Sequence, residues 1–120
     1  LWDTVERVLA QPYALDDRAA FREALSRTGR VLYLADNAGE TVFDRLLIEA
    51  LVEFHGLAVT YAVKGGPVLN DATMDDARAA GIDRVATVID TGLDAPGTIL
   101  DRCSPAFYRA YAAAAWGRID

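Results

Sequence analysis

Three short apolar runs alternate along this chain with segments of helical periodicity, and that alternation limits the fold more than any other feature. The runs are residues 31–35, 57–63 and 84–89, reading "VLYLA", "LAVTYAV" and "RVATVI". The first lacks polar alternation, as a parallel strand covered on both faces does. Between the first two lies "ETVFDRLLIEALVEFHG", with Phe43, Leu46, Leu47, Ala50, Leu51 and Phe54 at helical spacing and Gly56 as a stop. Residues 71–81 predict a second helix, and Ser104-Pro105 opens a last one, serine as N-cap and proline at the first helical position. Strands alternating with helices imply βαβ units and a parallel sheet with right-handed crossovers. The expected class is α/β.

Residues 1–29 read as a preceding segment of one or two amphipathic helices, with Val5, Val8 and Leu9 on one face, Phe21, Ala24 and Leu25 on another, and Gly29 as a stop. Residues 30–120 form the α/β core. A length of 120 residues fits one domain, and 52% hydrophobic with 25% charged residues is ordinary globular composition. A net charge of −6 argues against nucleic acid or an anionic membrane as the main partner, since both reward clustered lysine and arginine. No apolar run reaches the ~20 residues of a membrane span. The expectation is a soluble, cytoplasmic protein, and the single Cys103 suits a reducing compartment.

In a parallel sheet, ligands bind beyond the carboxyl ends of the strands. The loops there are "DNAGE", "KGGPVLNDAT" and "DTGLDAPG". Each carries an acid and a glycine, and parallel topology opens all of them on one sheet edge. Asp36, Asn37 and Asp71, with Asp90 or Asp94 from the third loop, are hard oxygen donors suited to Mg²⁺ or Mn²⁺; zinc is the weaker guess. Gly39 and Glu40 open the long helix, where free N–H groups favour an anion such as phosphate. Gly65, Gly66 and Pro67 would let the backbone approach a ligand closely, and Lys64 is the nearest cation. Together these features suggest a metal-bridged phosphate.

Each residue also has a plainer reading. Asn37, Asn70 and Asp71 are residue types that cap helices, Glu40 is a first-turn acid, and Gly65-Gly66-Pro67 is turn chemistry. Asp75 and Asp76 read as solvated helix acids. Trp2, Trp116 and the tyrosines read as packing residues, and His55 as a helix-terminal residue satisfied by the dipole. The convergence of acid-bearing loops on one sheet edge favours a single site over separate caps.

The segments "ADNAGETVFDRLL", "KGGPVLNDATMDDARAAGI" and "VIDTGLDAPGT" closely resemble the DUF89 family, the damage-control phosphatases and acidic-residue methyltransferase 1-like proteins, in its smaller prokaryotic branch. The resemblance runs from about Gly29 to Ser104. It implies a metal-dependent phosphatase with a three-layer α/β/α sandwich, Rossmann-like with a mainly parallel sheet and N-terminal helices, acting on phosphorylated small metabolites. It also implies Asp36, Asn37 and Asp71 as ligands of a divalent ion (Mn²⁺, Mg²⁺, Co²⁺ or Ni²⁺), with Glu40, Asn70 and Thr73 around the site and Asp94 from the third loop. With these stand Gly39, Lys64 and Gly65 as substrate-binding candidates. Leu93 departs from the family, where serine or threonine commonly stands. The family continues into a further strand and a Lys-Gly loop, whereas this chain finishes "AAAAWGRID". The resemblance therefore implies a piece of a phosphatase, with the metal loops present and an uncovered sheet edge that invites self-association.

The expected mechanism is hydrolysis of a phosphate monoester, with Asp94 or Glu40 orienting water. A covalent aspartyl-phosphate route is less attractive because Ala38 stands two positions after Asp36, where a second acid is needed. The alternative is a non-catalytic metal- or nucleotide-binding module of the same fold. A dinucleotide-binding domain ranks last, since the first loop lacks G-x-G-x-x-G.

Overall fold

The computed structural model describes residues 1–116, with side chains through residue 114. The packing role expected of Trp116 lies outside the described side chains. Two helices, α1 (Trp2–Ala10) and α2 (Arg18–Ser26), precede strand β1 (Arg30–Leu34). There follow a short turn of 3₁₀-helix (Ala38–Glu40), α3 (Thr41–His55), β2 (Ala58–Val63), α4 (Met74–Ala79), β3 (Thr87–Asp90) and α5 (Pro105–Trp116). The strands form a parallel sheet in the order β1-β2-β3. Its register places Tyr33 opposite Tyr61 and Val63 opposite Asp90.

Alternation along β1 sorts the helices into layers. Val31 and Tyr33 pack with the core that holds Ile48 and Leu51 of α3 and Ala77 of α4. On the opposite face Arg30 and Leu32 line a cleft with Ala110, Ala113 and Ala114 of α5. Helices thus cover both faces, which is the α/β/α arrangement. Strand β2 lies between the others and is the most buried, with Tyr61, Ala62 and Val63 nearly sealed from solvent. No helix among the described residues is long and apolar enough to cross a membrane.

Helix α3 forms where its periodicity predicts and ends on Gly56, whose φ of 63° is the left-handed C-cap that glycine adopts most readily. Its buried face differs from the one that the apolar spacing suggests. Thr41, Asp44, Ile48 and Leu51 face inward, while Phe43, Leu46 and Phe54 are exposed. Apolar residues encircle this helix, so hydrophobicity does not select a face. A polar anchor selects it: Tyr33 Oη and Tyr61 Oη each donate to Asp44, both at 2.6 Å.

The helix expected over residues 71–81 is shorter, Met74–Ala79. Thr73 caps it in a capping box with Asp76, whose carboxylate accepts from the Thr73 backbone at 2.8 Å. Asp76 is therefore a cap and not a purely solvated acid, and these hydrogen bonds hold its carboxyl below the usual range. The third strand is also shorter than residues 84–89 suggested, because Ile82–Arg84 forms a separate 3₁₀ turn. Ser104 caps α5 as expected, accepting from the Phe107 N–H at 3.1 Å.

Candidate functional site

The chain leaves β1 at Ala35 and runs directly alongside the loop that follows β2. Asn37 and Asp71 face each other in an isolated antiparallel bridge. The Ala38 N–H donates to Asn70 O at 2.8 Å and the Ala72 N–H to Asp36 O at 2.7 Å. Asp36, Asn37, Asn70 and Asp71 are thereby brought together by backbone hydrogen bonds. Asn37 precedes the 3₁₀ turn without a side-chain cap, and Thr73, not Asn70 or Asp71, caps α4. The capping explanation for Asn37 and Asp71 therefore fails.

The third loop joins the second just as closely. The Gly65 N–H donates to Leu93 O at 2.9 Å and the Thr91 N–H to Val63 O at 2.9 Å. A Cβ at Gly65 would stand 2.8 Å from the Leu93 nitrogen, so glycine is required there for loop-to-loop packing. Asp94 is exposed beside Gly66, where a Cβ on the glycine would meet the Asp94 Cβ at 3.3 Å. Asp90 instead accepts from the Gly92 N–H at 2.8 Å, a turn contact. Leu93 is buried, which accounts for an apolar residue at this position. Leu69, two residues before Asp71, is an exposed non-glycine residue at φ 51°, a strained conformation of the kind found at ligand loops.

Asn37 donates its amide nitrogen to Glu40 Oε1 at 2.8 Å, which leaves its amide oxygen outside that contact. Asp71 Oδ2 lies 3.6 Å from Lys64 Nζ, and the Lys64 ammonium also donates to the carbonyls of Ala95 and Gly97. Thr73, expected near the substrate, has its hydroxyl on Asp76 at 2.7 Å. His55 ends α3, exposed and away from these loops.

The donor set can be tested against the divalent ion that the sequence suggests. Among the described residues no group of three or more His, Cys, Asp or Glu side chains is placed to hold a metal. What the backbone contacts bring into neighbouring positions is a pair of acids, Asp36 and Asp71, and the amide residue Asn37. That set is too small and too hard for a closed zinc site, and it fits an ion such as Mg²⁺ or Mn²⁺ that keeps waters or takes phosphate oxygens.

Sequence reasoning passed over the Tyr33–Asp44–Tyr61 cluster beneath the site. The rings stack at 5.3 Å across the strand pair, and the carboxylate joins both hydroxyls to the first turn of α3. Burial, then the hydrogen bond to Asp44, pushes the Tyr33 hydroxyl up to about 12 and raises that of Tyr61 further. Thr41, one turn earlier, donates to Ala38 O at 2.8 Å, so the cluster fixes the helix that carries the first loop. The available signal was Asp44 itself, an acid in register with Ile48 and Leu51.

Residues 3–115 match the damage-control phosphatase ARMT1-like domain. A damage-control phosphatase of Pyrococcus horikoshii is 37% identical over 111 residues, covering 92% of this chain and 39% of that protein. One from Archaeoglobus fulgidus is 36% identical over 100 residues, covering 82% and 34%. An uncharacterized protein of Methanocaldococcus jannaschii is 47% identical over 85 residues, covering 71% and 28%. The crystal structure of a DUF89 family protein from Pyrococcus horikoshii aligns with a TM-score of 0.84 at 36% identity, over 92% of this chain and 39% of that one. The chain spans between 28% and 39% of the length of these curated relatives.

Proposed function

The chain belongs to the damage-control phosphatase ARMT1-like family, and from that premise we propose that its loops form the divalent-metal site of a phosphatase acting on phosphate monoesters of small metabolites. The observation that carries this reading is the bridge that sets Asn37 against Asp71 while leaving both side chains free of capping duty. Asp36, Asn37 and Asp71 would hold the ion, with Mn²⁺, Mg²⁺, Co²⁺ and Ni²⁺ as candidates. When bound, such an ion polarises a phosphoryl oxygen and makes water a better nucleophile.

The chain's own residues have separate tasks in this reading. Glu40 orients Asn37 through their hydrogen bond. Gly39 has open space where a Cβ would stand, and with the start of α3 it offers N–H groups to the phosphoryl oxygens. Asn70 faces the substrate from the second loop, while Gly65 and Thr73 shape that loop. Asp94, exposed on the third loop, orients the attacking water.

A second reading, a binding module without turnover, is favoured by one observation: the Lys64 ammonium is taken up by loop carbonyls and Asp71. Phosphate release from a panel of phosphoesters, with and without each ion, separates the two. Ion-dependent release that is lost in Asp36→Ala supports the phosphatase. Ion binding with no release from any ester supports the binding module.

A further inference from the structure

Lys64 is the only lysine of the chain, and its side chain is 9% exposed. Its backbone N–H donates to Ala72 O at 3.0 Å, in the second loop, and its ammonium reaches the third loop at the carbonyls of Ala95 (3.4 Å) and Gly97. An ammonium has three N–H donors. Two meet these carbonyls, and Asp71 Oδ2 lies 3.6 Å from the nitrogen, an ion-pair distance. The ammonium is thus held by loop carbonyls and paired electrostatically with Asp71, the carboxylate that compensates a charge otherwise costly to bury.

We infer that Lys64 is a positioning residue with a double task, tying the third loop to the second and acting as an internal counter-cation that lowers the affinity of Asp71 for a free divalent ion. The inference rests on the metal-site reading above and goes beyond it by assigning regulation of that site. The physical ground is competition, because an ion bound by Asp71 must share the carboxylate with a fixed positive charge a few ångströms away, where screening by water is weak. A phosphate that arrives with the ion brings negative charge and relieves the repulsion. Lys64 thus couples ion binding to phosphate binding, so that the loops hold an ion best when a phosphate is present.

The test uses Lys64→Met, of similar length without charge, and Lys64→Gln, which keeps a donor for the carbonyls. Mn²⁺ affinity is measured by calorimetry with and without inorganic phosphate, and thermolysin cleavage within residues 93–98 is followed on the ion-free proteins. The expected result is Mn²⁺ binding at least tenfold tighter in both variants, a smaller gain from phosphate than in the wild type, and cleavage at least threefold faster in Lys64→Met. If Lys64→Met does not fold, Lys64→Gln carries the affinity test. Mn²⁺ affinity within twofold of wild type, or weaker, overturns the counter-cation, and unchanged cleavage overturns the tether. A wild-type chain that binds no Mn²⁺ overturns the metal-site reading itself, a failure visible before any variant is compared.

Discussion

The first 29 residues and the α/β core place their apolar side chains in opposite ways. Helix α1 buries none of its residues, and Leu25 is the buried residue of α2. In the core, Ile48, Tyr61, Ile82 and Phe107 have no exposed surface. Both regions carry amphipathic patterns, so pattern alone does not decide burial. The core has a sheet against which helices close, while α1 has no buried residue and α2 reaches the core through Leu25. The polar contacts before and at the start of α2 are local: the Asp16–Arg18 pair at 2.6 Å and the Arg18 guanidinium 4.7 Å from the Tyr13 ring. Exposed pairs of this kind contribute little to stability. The radius of gyration, 15.6 Å, correspondingly exceeds the ~14 Å expected of a compact domain of this length.

The sharpest way to break that contrast is truncation in both regions. Ile48→Ala should cost about 4 kcal/mol in chemical denaturation, since it opens a cavity in a sealed core. Leu9→Ala should change stability by no more than about 0.5 kcal/mol. Comparable losses at the two sites would show that α1 packs on the core after all.

Asp44→Asn comes next in size. An amide cannot accept from both tyrosine hydroxyls on equal terms, and about 2 kcal/mol should be lost. Tyr61→Phe in the same background should then cost less than it does alone, because the partners form one network. Additive losses would mean that the cluster is not a unit.

A pH titration sharpens the comparison without mutation. Tyr33 and Tyr61 hold their protons more tightly folded than unfolded, so their contribution is complete below about pH 10, the value of an unperturbed tyrosine. It is lost as pH rises through the folded value, about 12 for Tyr33. Urea midpoints measured across that window should fall in the wild type and fall less in Tyr33→Phe. An equal fall in both would remove the cluster as the cause.

The sheet and α3 were legible because unbroken apolar runs and a glycine stop are local signals. The loop residues were legible for a related reason: Asp36 and Asn37 interrupt an apolar run where a strand ends. The inward face of α3 was not legible, since it depends on Tyr33 and Tyr61 meeting Asp44 across two strands. The start of α4 was misplaced because Asp71, a good capping residue, pairs instead with the first loop, and Thr73 with Asp76 provides the cap. The partners of Lys64 lie more than 30 residues away in sequence for both carbonyls, a separation no local pattern encodes.

The central claim is that the loops meeting at the Asn37–Asp71 bridge hold a divalent ion through Asp36, Asn37 and Asp71. Calorimetric titration of Mn²⁺ into the wild type, Asp36→Ala, Asp71→Ala and Asp75→Ala tests it most directly, with Asp75 as the exposed acid of α4 that takes no part. The account predicts binding in the wild type and Asp75→Ala, and none in Asp36→Ala or Asp71→Ala. Binding that survives unchanged in either of those two variants would contradict it.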